Sequence, residues 1–500
     1  MRKPLVIHPF LFSIWVVLII LVEEIKYIQF INIFLPIATV LFLAYSLLFI
    51  MSLIIKDFKI NALIISPIII FLLLYGIFYD YILTNFHQMG YFIVPIVTLL
   101  LISAYILYCT KLLILLSINS IIKITNIFNG VAALLIVFNV SQMLIFYYNY
   151  DNKVFFNQDE RNLKYRFSGT PPDIYYIILD EYAGLEQIKS YFNYDNSDFV
   201  NRLNKKGFYV AHKSKSNYTL TSFSLATSLN MAPPRINSSG TEWSSSSMSI
   251  SEFMNMTRRS PVYEYIQNNN VVHLLKSYNY KYYHLGSWLY ETMYSKFADY
   301  NINYIGFNIN NPLIMGLCKS SIIRLIYINR YFQRKLVMNA FSSLSNVAGA
   351  NGPKFVFAHI ICPHPPFLFG PEGEIVPFSK RNDVNDRMVY LGQYIFITKK
   401  IEECIDIILE KSNTPAIIIL QSDHGVRWDK PSAKMIFNAY LLPHNGNAIL
   451  YDNISPVNTF RLVFKYYFSA KYDLLDDCSK SPTNYSPCSK MFGEIVKFCE

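Results

Sequence analysis

Five long runs without a charged residue fill the first third of the chain: Pro4 to Val22, Tyr27 to Ile55, Ile60 to Tyr79, Tyr81 to Thr110 and Ile124 to Tyr150. A helix that crosses a bilayer needs about 20 apolar residues. Each run therefore predicts one spanning helix, and residues 1–150 predict a five-helix transmembrane anchor. The first run is followed by no small-x-small cleavage site and by four further apolar runs, so it reads as an anchor and not a removable leader. Leu112 to Ile122 is apolar but too short to span, and its lysine flanks predict a helix lying in the inner interface.

Beyond residue 150 the pattern changes. Residues 151–170 form a polar linker, and from Pro171 short apolar runs alternate with helical periodicity. Ile174 to Leu179 is a continuous β-branched and aromatic run, Phe199 to Lys206 has helical spacing, and Gly207 to Val210 opens a short strand. After Thr221, the positions Phe223, Leu225, Ala226 and Leu229 fit a helix. Strand character returns at Phe355 to Ile361, Ala416 to Leu420 and Ile436 to Leu442, with a long helix over Arg387 to Leu409 between the first two. Continuous apolar strands between helices predict a buried, mainly parallel sheet. The expected fold is an α/β head over 171–470, with a surface loop at Asn237 to Ser260 and a cysteine-containing tail at 471–500.

Composition agrees with this division. Hydrophobic residues make up 53% of the 500 and charged residues only 16%, too apolar a balance for a wholly soluble protein. Arg2-Lys3, Lys56 with Lys59, and Lys111 with Lys123 fall on one side of the predicted helices. Glu23-Glu24-Lys26 and the lysine-free stretch from Asp80 to Gly90 fall on the other. The positive-inside rule then places the N-terminus in the cytoplasm and, after five crossings, the head outside it. Beyond residue 150, 37 basic residues face 30 acidic ones, a net of +7, which suits anionic lipid head groups or envelope polymers or is simply a soluble surface, and no nucleic-acid partner is expected. Among seven cysteines, Cys478, Cys488 and Cys499 crowd the C-terminus. A Cys478–Cys488 bridge is expected there as a staple, while Cys109, Cys318, Cys362 and Cys404 read as buried or free thiols.

Candidate chemistry stands just past the ends of predicted strands, where ligands gather in doubly wound sheets. Asp180-Glu181 follows one, His364 another and Asp423-His424 a third. Carboxylates ending a buried strand are costly unless compensated, although an exposed turn pair is the plainer alternative. Thr219, Thr221, Ser222 and Ser224 cluster at a helix start, so one hydroxyl is a nucleophile candidate and the others are helix caps. His359 lies on a strand, either as a satisfied core histidine or as a substrate contact. His364 is held between prolines in a loop, and Arg427 is a cation beside Asp423-His424. A hard divalent ion takes carboxylate and imidazole ligands, and a hydroxyl nucleophile needs a metal or base to activate it. The set outlines a metal-held phosphate or sulfate ester site.

Four pieces in order, Pro171-Pro172-Asp173-Ile174 through Asp180-Glu181, Thr221-Ser222-Phe223-Ser224, Pro363-His364-Pro365 and Ser422-Asp423-His424-Gly425, resemble the alkaline phosphatase and sulfatase superfamily. The resemblance is to its membrane-anchored branch of lipoteichoic acid synthases and lipid A phosphoethanolamine transferases, and covers roughly residues 171 to 445 plus the anchor. It implies a sulfatase-like head holding one divalent ion, Mn, Zn, Mg or Ca, with Asp180, Glu181, Thr221, Asp423 and His424 as ligands. It implies Thr221 as nucleophile, because in the synthases the threonine opens a Thr-Ser-x-Ser stretch, and His364 as the group that handles the leaving or entering proton. Sulfatases carry Cys-x-Pro-Ser-Arg at the nucleophile, which is missing between Ser214 and Asn230, so sulfate ester hydrolysis is demoted. A second histidine beyond Asp-His-Gly is also missing, which argues against two metals. The implied activity moves a phosphoglycerol- or phosphoethanolamine-type head group from a membrane phospholipid to a cell-envelope glycan or lipid, through a phosphothreonine, at a bacterial plasma membrane. The alternatives are a sulfatase-like phosphodiesterase or hydrolase acting on surface glycans, and a catalytically silent envelope-binding membrane protein.

Overall fold

Five apolar helices follow one another at the start of the chain: α1 (His8–Glu24), α2 (Phe34–Ser52), α3 (Phe58–Asn85), α4 (Gly90–Ile114) and α5 (Ile118–Asn149). The computed structural model describes residues 5–24, 33–85, 90–149, 165–167, 171–234, 261–302, 312–323, 331–377, 380–381, 383, 386–412, 414–427 and 432–477. Among the described residues, four helices contain stretches long and apolar enough to cross a membrane: Phe34–Ser52, Phe58–Gly76, Ile96–Ile114 and Ile118–Ile145. The expected count of five spanning helices thus becomes four plus the shorter α1, of 17 residues. The start of α1 is set by a side chain of α5. Asn129 on α5 caps α1 from outside, its Oδ1 accepting from the Ile7 N–H (3.3 Å) and His8 N–H (2.9 Å) while its Nδ2 donates to Leu5 O (2.6 Å). The helix therefore begins four residues later than the apolar run does. The interfacial helix expected over Leu112 to Ile122 is instead the last turn of α4, a break at 115–117 and the first turn of α5. Ser117 makes the break, its Oγ accepting from the Ser120 N–H (3.2 Å) as a helix cap does.

Val16, Val17 and Leu21 of α1 are buried, whereas Leu100 and Leu107 on α4 and Leu134 and Leu144 on α5 are exposed. Long helices that turn leucines outward are suited to lipid and not to water. The structure groups residues Met1–Lys153 with Ile305–Phe332 as one compact unit, and Val154–Tyr304 with Gln333–Glu500 as the other. The head is expected to take the whole of 171–470. The structure differs at Ile305–Phe332, whose described apolar side chains Leu313 and Leu317 are buried in the same cluster as α1 and α3.

The second unit is built on a seven-stranded sheet of β1 (Ile174–Leu179), β2 (Tyr209–Val210), β3 (Lys281–Leu285), β4 (Tyr300–Ile302), β5 (Lys354–Ile360), β6 (Ile417–Ser422) and β7 (Asn438–Leu441). Strand order is β2-β7-β6-β1-β5-β3-β4. Pairing is parallel from β6 through β4, and antiparallel for β6 with β7 and β7 with β2. The α/β class and the mainly parallel sheet are as expected. The helices are α6 (Leu185–Phe192), α7 (Ser197–Lys205), α8 (Thr221–Asn230), α9 (Pro261–Gln267), α10 (Asn270–Ser277), α11 (Tyr290–Met293), α12 (Pro312–Ser320, in the first unit), α13 (Tyr331–Val347), α14 (Arg387–Lys411) and α15 (Pro456–Tyr467).

Two cores enclose the sheet. Tyr175, Ile177 and Leu179 pack with residues of α7, α13 and α14 on one face, and Ile174, Tyr176 and Ile178 with residues of α8, α10 and α15 on the other. Every residue of β1, β5 and β6 is buried, because both faces are covered, and this explains why their sequences show no alternation. At the amino ends, Lys354 Nζ meets Asp173 Oδ2 at 2.5 Å, the Lys354 N–H donates to Asp173 Oδ1 (3.1 Å) and Asp173 O accepts from Ile417 N–H (2.8 Å). One buried ion pair thus pins the starts of β1, β5 and β6. The expected loop at Asn237 to Ser260, the Cys478–Cys488 bridge and most of the 151–170 linker lie outside the described residues.

Candidate functional site

The carboxyl ends of three neighbouring strands bring the candidate residues together. β1 lies between β5 and β6, with Leu179 opposite Ile360 on one side and Ser422 on the other. The Asp180 N–H donates to Ile360 O (3.0 Å), Asp180 O accepts from His364 N–H (3.1 Å), and the Glu181 N–H donates to Asp423 Oδ1 (3.0 Å). Glu181 has φ +60°, a conformation that costs a side-chain-bearing residue on the order of 1–3 kcal/mol. Tyr390 on α14 holds the turn, donating from its hydroxyl to Glu181 O (2.7 Å) while accepting from Ala183 N–H (3.1 Å).

Asp180, Asp423 and His424 are buried and each offers a ligand atom within 4.8 Å of the other two. His424 Nε2 lies 3.6 Å from Asp180 Oδ1 and 3.4 Å from Asp423 Oδ2. Its Nδ1 stands 2.9 Å from Gly425 O. A carbonyl can only accept, so Nδ1 carries the proton and the Nε2 lone pair faces the carboxylates. Asp180 Oδ1 and Asp423 Oδ2 are buried with no hydrogen-bond partner. Two unpaired carboxylate oxygens at that depth are costly alone and well matched to a divalent cation. The residues fit such an ion: oxygens and one imidazole accept Mn, Zn, Mg or Ca.

The charges are uneven. Burial raises Asp423 to about 6, and the negative Asp180 adds to the effect. Burial acts in the same direction on Asp180, but His364, His359 and His424 outweigh it and hold that carboxyl well below the usual range. Burial, with Arg427 nearby, lowers His424 to about 4 and keeps it neutral as a ligand must be.

Thr221 opens α8 without capping it. Leu220 occupies the cap position with no side-chain cap bond, and Thr221 Oγ1 instead lies 3.3 Å from His424 Nε2. Its neighbours are engaged elsewhere, Ser222 Oγ donating to Glu291 Oε1 (2.8 Å) and Ser224 Oγ to Asp423 O (2.6 Å). Glu181, expected as a ligand, does not enter the buried group. Its carboxylate turns toward His364 Nε2 (3.8 Å) and the Arg427 N–H (3.4 Å), because the left-handed turn directs it away from Asp180. Half-buried His364 donates from Nδ1 to Pro365 O (2.6 Å). Burial lowers its pKa, but Asp180 and Glu181 overcome that and hold it above the ordinary imidazole value. Exposed Arg427 reaches His424 Nε2 with its guanidinium at 2.5 Å.

His359, expected as a substrate contact or core residue, is fully buried on β5. Its Nε2 is 3.4 Å from Asp180 Oδ2 and has no hydrogen-bond partner, while its Nδ1 is 2.7 Å from Thr292 Oγ1. It is as deeply buried as Asp180, Asp423 and His424 themselves and stands beside the first of them. Sequence reasoning missed Glu291 and Thr292 of α11, which link the start of α8 to β5, and Tyr390. A four-residue helix and a tyrosine inside a long apolar helix carry no signal that separates them from ordinary core.

No family model and no curated protein matches the chain. Among solved structures it is similar to the C-terminal periplasmic domain of EcEptC from Escherichia coli, at 12% identity over 61% of this chain and 85% of that one, with a TM-score of 0.41. It is similar to the C-terminal periplasmic domain of phosphoethanolamine transferase EptC from Campylobacter jejuni, at 14% identity over 62% and 94%, TM-score 0.37. It is also similar to the lipoteichoic acid synthase LtaP from Listeria monocytogenes, at 10% identity over 64% and 80%, TM-score 0.37.

Proposed function

We propose that this chain is a membrane-anchored member of the alkaline phosphatase and sulfatase superfamily. In this reading it transfers a phosphate-linked head group from a phospholipid to a cell-envelope glycan or lipid. The observation that carries the reading is Thr221 Oγ1 at the start of α8, 3.3 Å from His424 Nε2 and beside two buried, unpaired carboxylate oxygens. Asp180, Asp423 and His424, with Thr221, would hold the divalent ion. When bound, it supplies Lewis-acid chemistry, lowering the pKa of a hydroxyl and offsetting phosphoryl charge.

The chain's own residues do the rest. Thr221 Oγ, as the alkoxide, forms a bond to phosphorus while the bond from phosphorus to the diacylglycerol oxygen breaks. His364 Nε2, whose pKa its acidic neighbours raise, gives that oxygen its proton. The head group stays on Thr221 as a phosphothreonine. An acceptor hydroxyl then gives its proton to His364 and displaces Thr221, which leaves as the alkoxide it began as. The start of α8 would offer backbone N–H groups to the phosphoryl oxygens, and the Arg427 guanidinium, beside His424, would add positive charge there. Confinement of enzyme and donor to one membrane raises their encounter frequency.

The anchor reading places the N-terminus in the cytoplasm and the head in the periplasm or outside the cell. It requires α1 to cross, and 17 residues is the lower end of the spanning range.

The test is peptide mass measurement on the full-length protein in detergent, with divalent ion, after incubation with phosphatidylglycerol or phosphatidylethanolamine. A phosphoglycerol or phosphoethanolamine adduct on the Thr221 peptide is the expected result and names the donor. Diacylglycerol release without an adduct would indicate a hydrolase. No product and no bound ion would indicate an envelope-binding protein.

A further inference from the structure

The structure groups Ile305–Phe332, of which 312–323 and 331–332 are described, with the first unit, while Val154–Tyr304 and Gln333–Glu500 belong to the second. The chain therefore passes between the units three times, and the 151–170 linker is only the first passage. Within the first unit, α12 lies against α1 and α3. Leu313 is fully buried and Leu317 nearly so, in one apolar cluster with Val16, Val17, Ile20 and Leu21 of α1 and Leu63 and Ile64 of α3. Leu313, Gly316 and Leu317 share one helical face by their spacing. Gly316 lies close against α1, where a Cβ would run into Ile20 Cγ2. Small residues serve in this way where apolar helices pack backbone to backbone. Just after α12, the Ile322 N–H donates to Leu72 O on α3 at 2.8 Å, and the Ile322 side chain packs with Phe71, Tyr75 and Tyr79.

We infer that Ile305–Phe332 is a second membrane tether, an arm that leaves the head, docks on α1 and α3 of the anchor and returns. It holds the head to the membrane independently of the linker, by an apolar face and a backbone hydrogen bond. The inference goes beyond the transferase reading and does not depend on it, since any activity of the head would be confined in the same way. For a membrane-embedded substrate the consequence is direct: a head attached through two separate segments has fewer orientations than one on a single flexible linker, so its site samples the membrane surface more often.

The experiment uses the full-length protein in native membranes, with a site-specific protease sequence inserted in the linker between residues 151 and 170. After cleavage the membranes are washed in high salt and sedimented. We expect the head fragment to sediment with the membranes, and the Leu313→Asp/Leu317→Asp double variant to lose most of it to the supernatant. Release of the unsubstituted head by cleavage alone overturns the proposal. Equal retention of both proteins also overturns it, because another surface would then be responsible. Should the double variant fail to fold, a second measurement decides. A Cβ at position 316 would lie 3.8 Å from Ile20 Cβ, the mean separation across a disulfide. In a chain whose native cysteines are replaced, Ile20→Cys with Gly316→Cys should form a bond on mild oxidation, so that the cleaved anchor and head migrate together until reduced. Fragments that migrate separately without reductant sink the inference.

Discussion

Asp180 and Asp423 face the same small volume from two adjacent strands, and each keeps one buried oxygen unpaired. Their roles separate in two substitutions. Thr221→Ala should keep the ion and the fold while turnover falls by roughly 10⁴-fold or more, the scale of removing a nucleophile. Asp423→Asn should lose both ion and turnover, and metal analysis beside an activity assay checks the pair. A Thr221→Ala protein with full activity would shift the nucleophile to another hydroxyl. The raised carboxyl of Asp423 also makes a prediction in pH. In ion-free protein, ionising Asp423 opposes folding, so its contribution is fully favourable below the ordinary carboxylate range and declines as pH rises through about 6. A divalent ion needs the ionised form, so protons compete with it below that value. The rise in melting temperature on adding ion should therefore be larger at pH 7.5 than at pH 5, and an equal rise at both would show that Asp423 is not a ligand. At this scale the residue types were legible from sequence, but their directions were not. Glu181 follows Asp180 directly, yet its left-handed backbone turns it to His364, and no rule of adjacency reveals that.

Strand order is what turns distant residues into neighbours. β1 is central, and the buried Asp173–Lys354 pair at its amino end fixes it against β5 and β6. Removing one partner of such a pair leaves an uncompensated buried charge, so Asp173→Ala should destabilise the head by about 3–5 kcal/mol, read from chemical denaturation in detergent. A loss under about 1 kcal/mol would mean that Lys354 finds water or another partner. The strands β1, β5 and β6 were readable because burial on both faces demands unbroken apolar runs. β3 and β4 were not. Lys281-Tyr-Tyr-His-Leu mixes polar and apolar positions, and β4 has three residues, so their strand state comes from pairing with β5 and with each other and not from local preference. For the same reason α11, which supplies Thr292 to His359, has no signature of its own.

The molecule as a whole divides into a helical unit and an α/β unit whose sequences interleave. The number of crossings decides on which side the head stands. A cysteine placed at Asn152 should react with a membrane-impermeant maleimide in intact cells, and one at Lys3 only after permeabilisation. Labelling of both from one side would mean that α1 does not cross. Apolar content alone made the membrane unit legible, because lipid tolerates few charges along some twenty residues wherever they fold. The ends of its helices were less so. Asn129 decides where α1 begins and Ser117 where α4 gives way to α5, and the first of these depends on a contact between residues more than a hundred positions apart.

The amino-acid sequence by itself determined the apolar anchor, the α/β class and the residue types of the candidate site, because each follows from short-range rules of polarity, periodicity and ligand chemistry. Only the tertiary structure decided which of those residues meet, that His359 is buried beside Asp180 while Glu181 turns away, and that α12 packs with α1 and α3. These depend on strand order and packing between segments far apart in the chain, where the free energy resides in contacts that no local stretch contains.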